Sequence, residues 1–404
     1  MLKASFGSDI QSIKPMNKNK NKNKNNIHLW FPNIFEFTGG IQTYSIFLFQ
    51  ALQNIYPDAN YDMFIKHDKN PSPDFSSIAT TKFHFCGSTP LARRTLTFAA
   101  QLMTWAFWKR PNLIISSHLN FIVAGYLLKR FMNIPYWTVA HGIEAWNIKK
   151  PVLKMALHHA DLILAVSGYT RNRLIKEQNL DPNKIVILPN TFDANRFQIA
   201  PKPAELLEKY GLKPEQPVIL TVARLAEVER YKGYDQVIQA LPQIRQQIPD
   251  VHYIIVGKGN DQARINKLIT QLGLQDCVTL AGFIADEQLC DYYNLCDVFA
   301  MPSKREGFGI VYLEALACGK PVLGGNQDGA MDALCHGDLG SLVNPDDVGE
   351  IADTIIQILQ RTYPNPLMYQ PELLREKVIN TFGFEQFQNT LASYLHQYFR
   401  FNIR

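Results

Sequence analysis

Residues 298–323 read VFAMPSKREGFGIVYLEALACGKPVL, and the order of residue types in this stretch decides the fold class. Val298–Met301 is a short apolar run of strand type. Ser303 to Gly309 is a polar loop carrying two glycines. From Gly309 the apolar residues recur at helical spacing to Ala317, and Gly319 and Pro321 supply the stop signal. Val322–Leu323 begins the next apolar run. Strand, loop, helix and strand in succession argue for parallel strands covered by helices.

The alternation extends outward in both directions. Upstream, strand candidates are Ile27–Phe31, Tyr61–Ile65, Lys82–Cys86, Leu113–Ser116, Tyr136–Ala140, Leu162–Val166 and Ile185–Leu188, with helical patterns such as Gly40–Ile55 and Asn120–Phe131 between them. The second half repeats the scheme with Val218–Val222, His252–Val256, Val278–Ala281, Val298–Met301, Val322–Leu323 and Leu342–Val343. Its helical patterns are Tyr234–Gln247, Gln262–Leu272, Glu287–Asn294, Gly309–Ala317 and Val348–Arg361. About thirteen strands are too many for one ordinary open sheet, so the pattern predicts two. The break falls in the proline-rich stretch Thr191–Pro217. The expected organisation is a leader, 1–25, a first Rossmann-like domain, 26–198, a second, 199–383, and a C-terminal helical segment, 384–404, packing back on the first domain. Two such sheets face each other across a cleft at the carboxyl ends of their strands, where α/β sheets bind ligands.

The opening stretch also carries the densest chemistry. Gly307 and Gly309 allow a ligand to approach the backbone, and the free amides of the helix start suit anionic or hydroxyl oxygens. Glu306 stands on the loop. Glu314 lies inside the helix among Ile310, Leu313 and Ala317, so it faces inward, where a carboxylate needs donors. A vicinal sugar diol would supply two; a local lysine or a backbone group is the plainer alternative.

The segment resembles the signature of retaining nucleotide-sugar glycosyltransferases of the GT-B fold, the "group 1" family. That signature is E-G-F-G-x-x-x-x-E-A-x-A-x-G-x-P-V, present here from Glu306 through Glu314 to Val322. The resemblance implies an α/β GT-B architecture of two Rossmann-like domains. It implies that Glu306 contacts the donor sugar's hydroxyls and Glu314 the ribose, and that the amides of Gly307, Phe308 and Gly309 meet the sugar and the diphosphate. It assigns the leaving diphosphate to Arg224 and Lys232, although the spacing here leaves open whether Arg230 takes the lysine's place. Two cations at the end of a strand suit that charge. It places Gly40, in the turn Gly39-Gly40, opposite the phosphate. It places His141, in His141-Gly142 at the end of a strand, near the reacting carbon as a catalytic group. Thr191 replaces the family's glycine after Pro189-Asn190, and Gly282-Phe283 falls where the nucleobase binds. Asp328 and Asp332 both remain open for the acidic residue that follows Gly324-Gly325.

The implied activity is transfer of a sugar, of hexosyltransferase type, from a nucleotide diphosphate sugar to an acceptor hydroxyl, in cell-envelope or exported polysaccharide or glycolipid synthesis. No D-x-D pair occurs, so the resemblance implies no metal and no other cofactor. A non-catalytic nucleotide-sugar-binding partner and a nucleotide-sugar epimerase on the same fold are the rival classes. The pair of glutamates with His141 and Arg224 argues against both.

The remaining features narrow the setting. Of 41 basic and 36 acidic residues, six and one lie in residues 1–25, leaving 35 of each for the rest. The formal charge of +5 therefore belongs to a Lys/Asn-rich leader, expected to be disordered, and a nucleic-acid partner is discounted. Six cysteines with no C-x-x-C pair, and no apolar signal core before residue 26, point to a reducing, cytoplasmic setting. Leu91–Arg110 reads as an apolar helix with basic ends, either a core helix or a peripheral contact with the inner face of a membrane. In the second case a lipid-linked saccharide is the natural acceptor.

Overall fold

The computed structural model describes residues 25–36, 39–71 and 80–402. Apart from Asn25, the leader lies outside the described residues. The first sheet consists of β1 (Asn26–Phe31), β2 (Asn60–Ile65), β3 (Thr81–Phe85), β4 (Leu113–Ser116), β5 (Tyr136–Ala140), β6 (Leu162–Ala165) and β7 (Ile185–Ile187). The second consists of β8 (Val218–Val222), β9 (His252–Val256), β10 (Val278–Gly282), β11 (Val298–Met301), β12 (Val322–Gly325) and β13 (Ser341–Val343). The orders are β3-β2-β1-β4-β5-β6-β7 and β10-β9-β8-β11-β12-β13. Every pairing is parallel.

Both sheets share one winding: the chain starts in the middle, runs to one edge, returns and runs to the other. Strands β4, β5, β9 and β11 are buried along their whole length. That is why their sequences are mainly apolar rather than alternating apolar and polar. Each fully buried Val, Leu or Ile in them contributes roughly 1.5–3 kcal/mol from removal of its surface from water. The strand order reverses between β1 and β4 and again between β8 and β11, and a crevice forms at each reversal.

The two-sheet expectation and all thirteen strands hold, with ends moved by one or two residues. One helix differs for a local reason. The pattern Asn120–Phe131 divides into a short turn, Leu119–Phe121, and a helix, Ile122–Met132. The His118 Nδ1 accepts from the Asn120 amide at 3.1 Å and caps the turn.

A helix that the apolar pattern did not announce, Pro371–Phe382, follows the second sheet and starts with proline at its first position. Its Arg375 donates to the carbonyl oxygens of Ala317 and Ala194 at 2.6 Å each, and also to that of Phe197. It thereby ties the crossing between the sheets to the end of the helix Ile310–Ala317. The last helix, Phe384–Asn402, then returns to the first domain. Phe384 and Phe387 pack on Phe47 and Tyr44 of the helix Gly40–Ile55, and Tyr394 donates to the Ile187 carbonyl at 2.8 Å.

The helix Leu91–Lys109 covers the first sheet through Phe98, Leu102 and Ala106. Its other apolar residues face outward: Leu96, Phe107 and Trp108 are 75%, 61% and 77% exposed, and Phe131 nearby in sequence to the next helix end is 77% exposed. Among the described residues no helix is long and apolar enough to cross a membrane.

Candidate active site

The two crevices open into one cleft of ≈ 2620 Å³, larger than the usual ~300–1,000 Å³ of a site for one small ligand. Gly40, Arg224, Lys232, Glu306, Gly309 and Glu314 all line it. Residues some 270 positions apart in sequence meet there because each stands at the carboxyl end of a strand beside a reversal, or on the helix that follows.

Two helices begin at the cleft without a side-chain cap: Gly40–Ile55, after Gly39, and Ile310–Ala317, after Gly309. Their first amides have no partner within the helix and carry the positive end of its dipole. Gly309 has φ 92°, and a Cβ there would meet the Tyr312 ring at 2.5 Å. Only glycine fits that turn without strain.

The loop carrying Glu306 is built by a buried acid. Asp328 accepts from the Glu306 amide at 2.6 Å, from Ser303 Oγ at 2.7 Å and from the Ala330 amide at 2.9 Å. Burial pushes its carboxyl up to about 6, against the pull of these donors. Glycines close the loop against its neighbours. A Cβ on Gly307 would stand 1.8 Å from the His141 carbonyl oxygen, and one on Gly329 would stand 2.1 Å from that of Gly307. The first of these contacts joins the two domains backbone to backbone.

Glu306 forms an ion pair with Lys232. Burial disfavours the ammonium, but Glu306 and Tyr231 outweigh it and hold Lys232 above its ordinary range. Arg230 points elsewhere: its guanidinium bonds Asp235 at 3.2 Å. Of the two cations left open by spacing, Lys232 is the one on the cleft wall. Arg224 is 64% exposed, paired to Glu229 at 2.8 Å, and reaches across toward Gly39.

Among the described residues, Glu314 has neither the lysine nor the backbone partner of the plainer reading. The Tyr293 hydroxyl donates to it at 2.7 Å. Burial pushes its carboxyl up to about 7, with Tyr293 and Arg196 acting in the opposite direction. A carboxyl with one hydroxyl donor retains further lone pairs for a ligand's hydroxyls.

Three predicted residues have further contacts of their own. His141 is not on the cleft wall. Its Nε2 donates to the Ser117 carbonyl at 2.9 Å, which leaves Nδ1 as the acceptor, and its ring stands edge-on to Tyr44. Burial lowers it to about 4, so it is neutral at physiological pH. Gly307 serves the interdomain contact, and the Phe308 ring packs on Phe382.

Sequence reasoning missed Tyr293 and Arg196 and left Asp332 unassigned. Tyr293 lies in the apolar helix Leu289–Leu295 and reads as core. Arg196 sits in the link between domains and lines the cleft. Asp332 accepts from the amides of Gly168 and Tyr169 at 3.0 and 2.9 Å, so an acid of one domain caps a helix of the other. The two acids left open after Gly324-Gly325 thus divide: Asp328 shapes the Glu306 loop and Asp332 bridges the domains. On the first domain's rim, Asp68 accepts from the Ile34 and Phe35 amides at 2.7 Å each and shapes the loop that brings Glu36 to the cleft. Phe37 and Thr38 of that loop lie outside the described residues.

Residues 204–370 match the family model described as glycosyl transferases group 1, and residues 38–196 match that of Glycosyltransferase Family 4. The chain is 36% identical over 234 residues to the GDP-mannose-dependent alpha-(1-6)-phosphatidylinositol monomannoside mannosyltransferase of Mycolicibacterium smegmatis, a match spanning 54% of this chain and 59% of that enzyme. It thus spans about three fifths of the length of the mannosyltransferases it matches. It is 26% identical to the N-acetyl-alpha-D-glucosaminyl L-malate synthase of Bacillus anthracis, across 62% of this chain and 67% of that enzyme. In fold it is similar to sucrose-phosphate synthase from Thermosynechococcus elongatus (TM-score 0.76, 22% identity, 93% of this chain and 100% of that one). It is also similar to HepE of Anabaena in complex with UDP (TM-score 0.73, 21% identity, 92% and 99%).

Proposed function

We propose, from the premise that this chain is a group 1 glycosyltransferase, that it transfers a hexose from a nucleotide diphosphate sugar to an acceptor hydroxyl with retention at the anomeric carbon. The observation that carries the reading is the gathering of Glu306, Lys232, Arg224 and Glu314 around one cleft, beside two uncapped helix starts.

In this reading the ribose diol donates to Glu314 and the sugar's hydroxyls meet Glu306. The diphosphate lies against Arg224, Lys232 and the amides at Gly40 and Ile310. Those groups stabilise the charge that develops as the sugar–phosphate bond breaks. A phosphate oxygen on the same face takes the proton of the attacking hydroxyl, so retention needs no enzyme nucleophile, and positioning supplies most of the rate. His141, with its Nε2 spent on the Ser117 carbonyl, is proposed to act through its own carbonyl on the Gly307 loop rather than by touching the donor sugar. Cations and helix amides suffice for the diphosphate, so the reaction proceeds without a metal ion. Phe283 lies on the cleft with Lys258 Nζ 4.6 Å above its ring, and a nucleobase stacks there.

The names of the mannosyltransferase relatives favour a GDP-linked donor and a glycolipid acceptor, in envelope or exported polysaccharide or glycolipid synthesis on the cytoplasmic membrane face. The outward Leu96, Phe107 and Trp108, with Arg93, Lys109 and Arg110, form the proposed contact with an anionic membrane surface. Arg94 takes no part, because its guanidinium is spent on the carbonyls of Gly87 and Thr89.

Calorimetry against GDP, UDP, ADP and CMP with chelator present tests the donor site. Tight binding of one diphosphate, lost in Arg224→Ala, supports it; no binding by folded protein defeats it. Product anomer analysis with GDP-mannose and UDP-glucose tests retention. Liposome sedimentation that survives Trp108→Ala combined with neutralised Arg93, Lys109 and Arg110 removes the membrane contact.

A further inference from the structure

Behind the Glu314 wall, two thiols face each other. Cys290 Sγ lies 3.9 Å from Cys318 Sγ. The first is in the helix Leu289–Leu295, three residues before Tyr293, and the second immediately follows the helix Ile310–Ala317 that carries Glu314. We infer that Cys290 and Cys318 form a reversible disulfide that governs nucleotide binding in the neighbouring cleft, an inference that for its functional half rests on the donor site proposed above.

The surroundings divide the labour between the two sulfurs. Cys290 is partly exposed, while Cys318 is buried. Asn294 Nδ2 donates to Cys290 Sγ at 3.4 Å, an arrangement that favours a thiolate there. The hydrogen bond from Cys318 lowers Cys290 to about 6 and correspondingly raises Cys318. The accessible sulfur is the better nucleophile and the buried one is poised to resolve it. With hydrogen peroxide as oxidant, the Cys290 thiolate attacks one oxygen, the O–O bond breaks, and hydroxide leaves. The resulting sulfenic acid is attacked by Cys318, which gives up its proton; the S–O bond breaks and water leaves. Two electrons pass from the thiols to peroxide, and two thiol protons end in water.

Closing the bond brings the sulfurs from 3.9 Å to about 2.05 Å. The bond then ties the helix Leu289–Leu295 to the end of the helix Ile310–Ala317 at a spacing set by disulfide geometry. The Tyr293–Glu314 hydrogen bond spans those two helices, and Leu289, next to Cys290, lines the cleft. Oxidation therefore shifts the carboxylate that the proposed function gives to the ribose.

The test uses the full chain, reduced and then treated with hydrogen peroxide. Intact mass and peptide mapping report the bond, and calorimetry reports affinity for the nucleoside diphosphate that the reduced protein binds. The expected result is a loss of about 2 Da, a 290–318 linked peptide, an affinity at least about tenfold weaker, and recovery with dithiothreitol. Cys290→Ser and Cys318→Ser should bind as the reduced protein does and lose nothing on oxidation. Absence of the linked peptide, or a linked protein with unchanged affinity, overturns the inference. If reduced protein binds no nucleotide, the donor reading fails, while the mass and the linked peptide still decide whether the pair forms.

Discussion

The two walls of the cleft are built by different means. On the second domain each functional side chain is held by another side chain: Asp328 fixes the loop of Glu306, Lys232 pairs with Glu306, and Tyr293 holds Glu314. On the first domain the facing elements are mainly backbone: the Gly39-Gly40 turn, the loop shaped by Asp68, and the carbonyl of His141 against Gly307. A wall made of interlocked side chains is preorganised for one ligand and tolerates little change. A wall of loops on a rigid sheet admits variation. The donor side is therefore expected to be sensitive to single substitutions and the acceptor side to be forgiving.

The strongest challenge to that contrast is Glu306→Gln, which keeps the shape but removes the charge facing Lys232. kcat should fall about 10²–10³-fold, while Glu36→Gln on the opposite wall should change it by no more than a few-fold. Steady-state rates with saturating donor decide this, and equal losses would erase the contrast.

Next is Gly307→Ala. Its methyl group would occupy the place of the His141 carbonyl oxygen, 1.8 Å away, so one domain must move. Overpacking of this kind costs about 1–3 kcal/mol. Denaturant unfolding should show that loss and solution scattering a wider molecule. An unchanged variant would mean that the backbone contact does not set the spacing of the walls.

Glu314 sharpens the comparison through pH. Burial raises it from 4.5 to about 7 in the folded protein. The neutral form's contribution to stability is thus complete below pH 4.5 and is lost as pH rises through about 7. Wild type should therefore lose stability relative to Glu314→Gln across that window. Ligand hydroxyls that donate to the carboxylate prefer its ionised form. Nucleotide affinity should be level above pH 7 and weaken by up to tenfold per unit below it, whereas Glu314→Gln should be weaker throughout and lack that step. The nucleotide's own titration is common to both proteins. Parallel pH profiles would remove Glu314 from the binding site.

The smallest effect is expected at Asp332, which links the walls without lining the cleft. Asp332→Ala leaves the amides of Gly168 and Tyr169 without their cap, a loss of about 1 kcal/mol. Thermal unfolding measures it, and a rise in donor KM without a fall in kcat would show that the cap holds the domains together rather than aligning the reacting groups.

The same contrast explains what could be read from sequence. The thirteen strands and their division into two sheets were legible because buried parallel strands leave short, mainly apolar runs, as in β9 and β11. Glu306, Glu314 and Arg224 were legible because they follow such runs at short range. Lys232 could not be separated from Arg230 by spacing, since the choice depends on Asp235 capturing the arginine. Tyr293, Arg196 and Asp332 act across distances in sequence that no local pattern encodes, and a tyrosine in an apolar helix looks like core until its hydroxyl is seen to reach Glu314. The His141 ring was placed by its strand end, but its orientation depends on Ser117, just past the end of the adjacent strand β4.

Arg375 gathers the carbonyls of Ala194 and Phe197, where the chain first leaves the first domain, and that of Ala317, beneath the Glu314 helix. A few residues later the chain crosses back at Phe384. The outward and return passages are thus bound like the pages of a book along one spine. A book opens and shuts but does not shear, so successive turnovers would bring the two walls back into the same register. The spine, far from the reacting atoms, would then set how faithfully the walls meet.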